Sequence, residues 1–441
     1  MSTPFLWTFS KSANIGNAKL DGLTTDTGVN GANYNTALAL YFIGYVIWEV
    51  PANIVLKRFN PKVWLPTLPL AWGIVSICQG FIKNQAGLFA VRFFLGTAEA
   101  GLFPGVIYVF SMYYKRRERH WRVAIFFGGA AISGAFGAWV IGKMNGLGGQ
   151  PGWAWIFILE GILTVIVAVA AYWLVPNWPD RASFLTQDEK ARLIARSKYD
   201  SAGVSEEFKW KYVIEALADH LVWAYAFLFH GFAFVLYSLS LFLPTIIAGL
   251  GYASWEAQLL TVPPYALSTI CIGFAAWLAS VYNRRAVLII GSGVIGIIGY
   301  ILLLTTHTVG RQYVGVHLAC AGVYTGNALL LSWPGENVAP QTKRAVAVAM
   351  QISIGDLGAI AGVLIYRPEW SSNRFRKPHI ISIGYLVFAL AITIWLWAWM
   401  ECENKRRDKI AVESAKVSVA DLDAKEKVDQ GDWYIGWRYH T

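Results

Sequence analysis

Apolar residues in this chain come in long, nearly uninterrupted runs separated by short charged patches. Eleven clear segments run approximately 36–56, 63–82, 86–114, 121–142, 153–175, 222–247, 258–281, 286–305, 312–333, 345–366 and 380–400. Each is long enough to cross a hydrocarbon core of about 30 Å as a helix, the conformation that satisfies every backbone polar group internally. A weaker stretch ahead of them, Pro4 to Ala18, is short and polar and reads as a shortened first helix. The longest interruption, Pro176 to His220, is charged, and within it Thr186 to Lys198 has the pattern of an amphipathic helix behind a Ser/Thr cap. The expected architecture is therefore all-α and membrane-embedded. An N-terminal helical half spans 1–175, a linker 176–220, a six-helix half 221–400, and a charged, mobile tail 401–441.

Composition excludes a soluble globular domain. Of 441 residues, 56% are hydrophobic and only 15% charged, against about a quarter charged in soluble domains. The net charge of +10 does not point to nucleic acid, because the basic residues sit at the ends of apolar runs. They cluster after alternate segments, at Lys57, Arg58 and Lys62, at Lys115 to Arg122, at Arg284 and Arg285, at Lys343 and Arg344, and at Lys405 to Arg407. The positive-inside rule places those loops, the linker and the C-terminus in the cytoplasm. Arg367, Arg374, Arg376 and Lys377 dissent, and five concordant loops outweigh them. Many of the 21 Trp residues lie near segment ends, as at membrane interfaces. Cys78, Cys271, Cys320 and Cys402 lack metal-ligand or disulfide spacing, and the first sixteen residues lack the pattern of a removable signal peptide.

Several motifs in order resemble a known family. They are Asn14-Ile-Gly-Asn-Ala-Lys19, Tyr41-Phe-Ile-Gly-Tyr-Val-Ile-Trp-Glu-Val-Pro-Ala-Asn53, Arg92-Phe-Phe-Leu-Gly-Thr-Ala-Glu-Ala-Gly-Leu-Phe-Pro-Gly105 and Trp155-Ile-Phe-Ile-Leu-Glu-Gly161. Later come Tyr237-Ser-Leu-Ser-Leu-Phe-Leu-Pro-Thr-Ile-Ile247, Gln258-Leu-Leu-Thr-Val-Pro-Pro264 and Thr342-Lys-Arg-Ala345. Together they resemble the anion:cation symporter branch of the major facilitator superfamily, in particular the fungal allantoate and nicotinate permeases. The resemblance implies a fold of two six-helix halves, here eleven clear helices plus a remnant. It also implies proton-coupled uptake of a small organic anion across a fungal plasma membrane by a monomer that needs no cofactor and is not an enzyme. Where the family carries an Asp-Arg pair ahead of the first motif, this chain has Lys11 and Ser12. An exporter of the same fold, or a non-transporting remnant, are the alternatives.

Ionisable residues inside spans are costly, and each is a candidate for function. Arg92 and Glu99 are seven residues apart, two turns on one helix face. An Arg fork suits a carboxylate bidentately, and a nearby Glu can take up the coupled proton. The resemblance implies those same roles, and the structural alternative is an ion pair. His230 and Tyr237, also seven apart, Asn327 and Gln351 are candidate substrate contacts. For His230 the competing reading is a packed, hydrogen-bonded imidazole. Asp356 is a second candidate proton carrier, while Glu49, beside Pro51, and Glu160 suit gating or structural pairing. Glycines at 128, 129, 134, 137 and 142, and at 291, 293, 296 and 299, resemble small-residue packing faces.

Overall fold

The computed structural model describes residues 11–114, 146–200, 209–252, 254–282, 284–367, 370, 374–416, 431–435 and 437–441. In chain order its main helices are α1 Lys11–Leu20, α2 Gly31–Arg58, α3 Pro61–Gln79, α4 Gln85–Glu99, α5 Leu102–Tyr113 and α6 Gly152–Leu174. Next come α7 Gln187–Asp200, α8 Trp210–Ala218, α9 His220–Ala248 and α10 Val262–Tyr282. The last four are α11 Arg285–Thr305, α12 Val309–Leu330, α13 Gln341–Leu364 and α14 Arg376–Lys416. Their starts follow from local chemistry. Asn30, Asn84 and Asp219 each cap a helix, accepting from the backbone N–H of Asn33, Gly87 and Leu221 at 2.8–2.9 Å. Thr186 and Glu189 form a reciprocal capping box at the head of α7, where the Ser/Thr cap was expected.

Among the described residues, eight helical stretches are long and apolar enough to cross a membrane. The apolar runs at 36–56 and 63–82 form α2 and α3, and the run at 121–142 lies outside the described residues, as do the glycines at 128–142. The count of eleven spans is thus a sequence expectation. Large apolar side chains point outward along the spans, as on α10, where Ile270, Phe274 and Trp277 are more than half exposed. This is the surface a bilayer covers.

Helices before the 176–219 stretch pack chiefly on one another, and so do those after it. We call the side of the bundle that carries this stretch the linker side. Tyr113, ending α5, donates to the carbonyl of Asn177 there. Among the described residues, the two groups meet mainly toward the other side. Asn35 of α2 donates to the carbonyl of Tyr366 after α13 (3.3 Å), and the Tyr34 ring lies edge-on to Phe242 of α9. Gln258 donates to the carbonyl of Asn17 in α1 (3.3 Å). Helix α1 is therefore packed into the bundle, with Gly16 so near Leu241 that an added Cβ would sit 2.3 Å from its carbonyl oxygen.

The glycine face on α11 is present, with one correction. Gly293, Gly296 and Gly299 face Leu390, Val323 and Ala319, whereas Gly291 has open space around it. The spacing of three separates the first three from Gly291, which falls on another side of the helix. A second correction concerns the tail. Helix α14 continues unbroken past residue 400 to Lys416, and the segment 431–441 packs back on the linker side, tied down by Arg407, Lys343 and two asparagines.

Candidate functional site

The centre of the bundle is organised by the pairing of α2 with α4, which approach through two glycines. A Cβ on Gly96 would fall 1.9 Å from the carbonyl oxygen of Tyr41, and one on Gly44 would fall 2.4 Å from that of Phe93. Backbones this close bring side chains on the adjoining faces into direct contact. Tyr41 donates to Glu99 Oε2 at 2.6 Å. Arg92 lies two turns from Glu99 on α4, displaced along the helix by about 10 Å at 1.5 Å per residue and away from the linker side. It is 1% exposed, with Nε and Nη2 lacking any hydrogen-bond partner among the described residues. Tyr34, Tyr41 and Glu99 are within its electrostatic reach.

A row on α2, Tyr41, Tyr45 and Glu49 at four-residue spacing, carries this polar surface toward the linker side. Glu49 Oε2 accepts from Ser353 Oγ of α13 at 3.4 Å, a contact between the two groups of helices. Asp356 follows one turn later on α13. It is buried, its Oδ2 has no hydrogen-bond partner among the described residues, and Glu49 and Glu99 both lie within its electrostatic reach. Tyr237 of α9 faces the same region, its ring 4.8 Å from Phe42 and within electrostatic reach of Asp356 and Glu99. Arg92, Glu99, Glu49, Tyr237 and Asp356, far apart in sequence, thus share one buried polar region.

The remaining sequence candidates sit elsewhere. His230 is a seam residue. Its Nδ1–H donates to the carbonyl of Ile354 (2.9 Å) and its ring lies against Gly358 of α13 and Tyr385 of α14. Gln351 donates to the carbonyl of Leu330 (3.2 Å) while its Oε1 stays without a partner among the described residues, and Asn327, buried in α12, has the same unpartnered carbonyl oxygen. Glu160 is buried in the middle of α6, where neighbouring Gly161 packs against Gly73 and Ile77 of α3. It lies eight residues after the start of α6 at Gly152.

Sequence reasoning passed over Tyr41, Tyr45 and Ser353. The signal for the tyrosines was the spacing of four and eight back from Glu49. Tyrosine in an apolar run resembles ordinary core or interface aromatic content, which hid it.

The sequence profile described as Major Facilitator Superfamily matches residues 3–363. An uncharacterized transporter of Schizosaccharomyces pombe is 32% identical over 430 residues, covering 96% of this chain and 85% of the relative. The MFS transporter prlL of a fungal species is 33% identical over 389 residues, covering 85% and 79%. Among solved structures, a bacterial homologue of the human lysosomal transporter Spinster, in an inward-facing and occupied conformation, superimposes with a TM-score of 0.68 at 17% identity, covering 90% of this chain and 95% of that one. The proton:xylose symporter XylE does so with the same TM-score at 12% identity, covering 90% and 96%. These two likenesses speak to the fold.

Proposed function

The chain belongs to the major facilitator superfamily and is a multi-pass membrane transporter, and on that premise we propose that it takes up a small organic anion coupled to protons by alternating access. The observation that carries this reading is Arg92, a fully buried guanidinium with two nitrogens, Nε and Nη2, lacking partners among the described residues, set deep in the bundle. An uncompensated buried charge is costly, and an anion arriving in the site relieves that cost. The guanidinium fork offers parallel N–H donors to a carboxylate, which makes nicotinate-, allantoate- or pantothenate-like acids the fitting class.

Glu99 is the proton carrier in this scheme. It shares the α4 face with Arg92 and is hydrogen-bonded by Tyr41. Protonation of Glu99 removes a negative charge from the region and leaves Arg92 with greater attraction for the incoming anion. Release of the proton on the far side restores the competing carboxylate and favours anion departure. Asp356 and Glu49 extend the acidic surface toward the linker side and supply a path for the proton, with Glu49–Ser353 acting as a contact that parts as the halves rock.

In this reading residues 1–175 and 221–400 form the two moving halves, the linker side is cytoplasmic by the positive-inside distribution, and the protein works as a monomer in the plasma membrane. Among the described residues, contacts between the helix groups crowd the side away from the linker, which suits a state open toward the cytoplasm. Reconstitution into liposomes tests the proposal. Radiolabelled nicotinate, allantoate and pantothenate are offered with and without an inward proton gradient. Gradient-stimulated uptake of at least one of them, abolished in Arg92→Ala, is expected. Uptake indifferent to both the gradient and Arg92 would overturn it.

A further inference from the structure

We propose that the linker-side face of α9, α11, α13 and α14 is a peptide-recognition site, occupied in cis by residues 431–441, and that this occupancy positions the start of α13. The described part of the segment is held by backbone and side-chain contacts of several kinds. Asn404 of α14 grips Tyr439 with both ends of its amide, donating to the carbonyl and accepting from the N–H, each at 2.9 Å. Asn337 treats His440 the same way, at 3.0 and 2.7 Å. Two side-chain amides thereby read the backbone of Tyr439 and His440 as a neighbouring β-strand would.

Arg407 supplies a third grip. Its guanidinium is 2% exposed and donates to the carbonyls of Asp432, Tyr434 and Trp437 at 3.0–3.3 Å and to the Tyr439 hydroxyl at 3.3 Å. Trp333 Nε1 donates to the carbonyl of His440 (2.8 Å), and the backbone N–H of Arg285 donates to that of Thr441 (2.7 Å). Sequence selectivity comes from two side chains. The carboxylate of Asp432 enters a pocket where Lys343 Nζ reaches both its oxygens at 2.8–2.9 Å and Asp219 at 2.6 Å, all three groups almost wholly buried. The Tyr439 ring lies 4.8 Å under the Arg407 guanidinium and edge-on to Trp399. The site therefore fits a peptide that turns at Gly431–Trp433 and around the Arg407 guanidinium, with an acidic residue followed seven positions later by tyrosine.

The consequence for α13 follows from what the segment touches. The connection before α13 is held at Trp333, Asn337 and Ala339, and α13 itself at Lys343, its third residue. Helix α13 carries Ser353 and Asp356 into the central polar region and forms the contact with α2. Covalent attachment keeps the occupant at high effective concentration, so a free peptide competes poorly with it.

A fluorescein-labelled peptide of residues 431–441 tests the site by fluorescence anisotropy, with no transport substrate needed. Saturable binding is expected to a chain lacking 431–441, and at least tenfold weaker binding to the unaltered chain. Arg407→Ala in the shortened chain, or Asp432→Lys in the peptide, should weaken binding at least tenfold. Equal binding to both chains, or none to a folded, monodisperse shortened chain, would overturn the proposal. Hydrogen exchange on the full chain is the second measurement, independent of whether the shortened chain folds. Residues 431–441 should exchange slowly in the unaltered protein. Arg407→Ala should speed exchange both there and in the first two turns of α13. Exchange of 431–441 at the rate of an unstructured peptide sinks the site, and an unmoved α13 sinks the positioning role.

Discussion

Replacing Gly96 by alanine adds one methyl group where α2 and α4 are closest, and the structure sets the size of the effect. The new Cβ would lie 1.9 Å from the carbonyl oxygen of Tyr41 and 2.8 Å from its carbonyl carbon. Ordinary carbon–oxygen contact needs about 3.3 Å, so the two backbones must part by about 1.4 Å, and no side chain can turn aside to spare them. Overpacking of a well-filled interior costs about 1–3 kcal/mol, and an obstacle made of backbone places this case at the upper end or beyond. The same displacement stretches the 2.6 Å Tyr41–Glu99 bond past hydrogen-bonding range and moves Glu99 relative to Arg92. Thermal melts of the detergent-purified protein, followed with a thiol-reactive dye, should show a clear fall in melting temperature. Uptake in the liposome assay should fall with it. Gly273→Ala is the control, because nothing lies within 4 Å of the added Cβ, and alanine inside a helix gains up to about 1 kcal/mol over glycine. If Gly96→Ala melts with Gly273→Ala and keeps full uptake, the close approach is not what organises the site.

Four further outcomes are expected. Arg92→Lys should keep the charge yet lose most uptake, since an ammonium lacks the planar fork; unchanged initial rates would show that the site needs only a positive charge. Tyr41→Phe should cost about 1–3 kcal/mol of stability, as a buried acceptor loses a donor, while shifting the pH profile of uptake, and an unmoved profile would remove Glu99 from the coupling. Gly322→Ala, whose Cβ would fall 2.4 Å from Gly296 N and Ser292 O, should destabilise the protein, whereas Gly291→Ala should not; equal melts would refute the corrected packing face. Docking of residues 431–441 should tighten as pH falls from 7 to 5. Burial, with the Asp219 carboxylate nearby, outweighs Lys343 and raises Asp432 to about 6. The docked form therefore holds a proton that the undocked form, near the ordinary 3.8, has released. Proton uptake therefore adds to docking as pH drops through about 6. Because His220 lies 3.7 Å from Asp219 and Arg407 binds the Asp432 carbonyl, Asp432→Asn is the check. Anisotropy titrations with that peptide should lose the pH dependence, and retention would assign it to another group.

The sequence by itself determined the membrane class, the helices formed by the described apolar runs and the Thr186 cap of α7. These depend on apolar length and on residues within a turn of one another, and both are local. It also picked out Arg92, Glu99, Glu49, Tyr237 and Asp356, because a polar group in an apolar run is conspicuous wherever it lies. Only the tertiary structure decided which of those share a region. Gly44 and Gly96 bring α2 onto α4, Ser353 bonds to Glu49 across the helix groups, and His230 is taken into a seam by the carbonyl of Ile354. The tail shows the same division most plainly. Its charge and distance from the last apolar run resemble a solvated end, yet residues 432–441 find their partners at Asp219, Asn337, Lys343, Asn404 and Arg407. Several of those contacts are to backbone groups, which every sequence carries alike, so no pattern along the chain could have announced them.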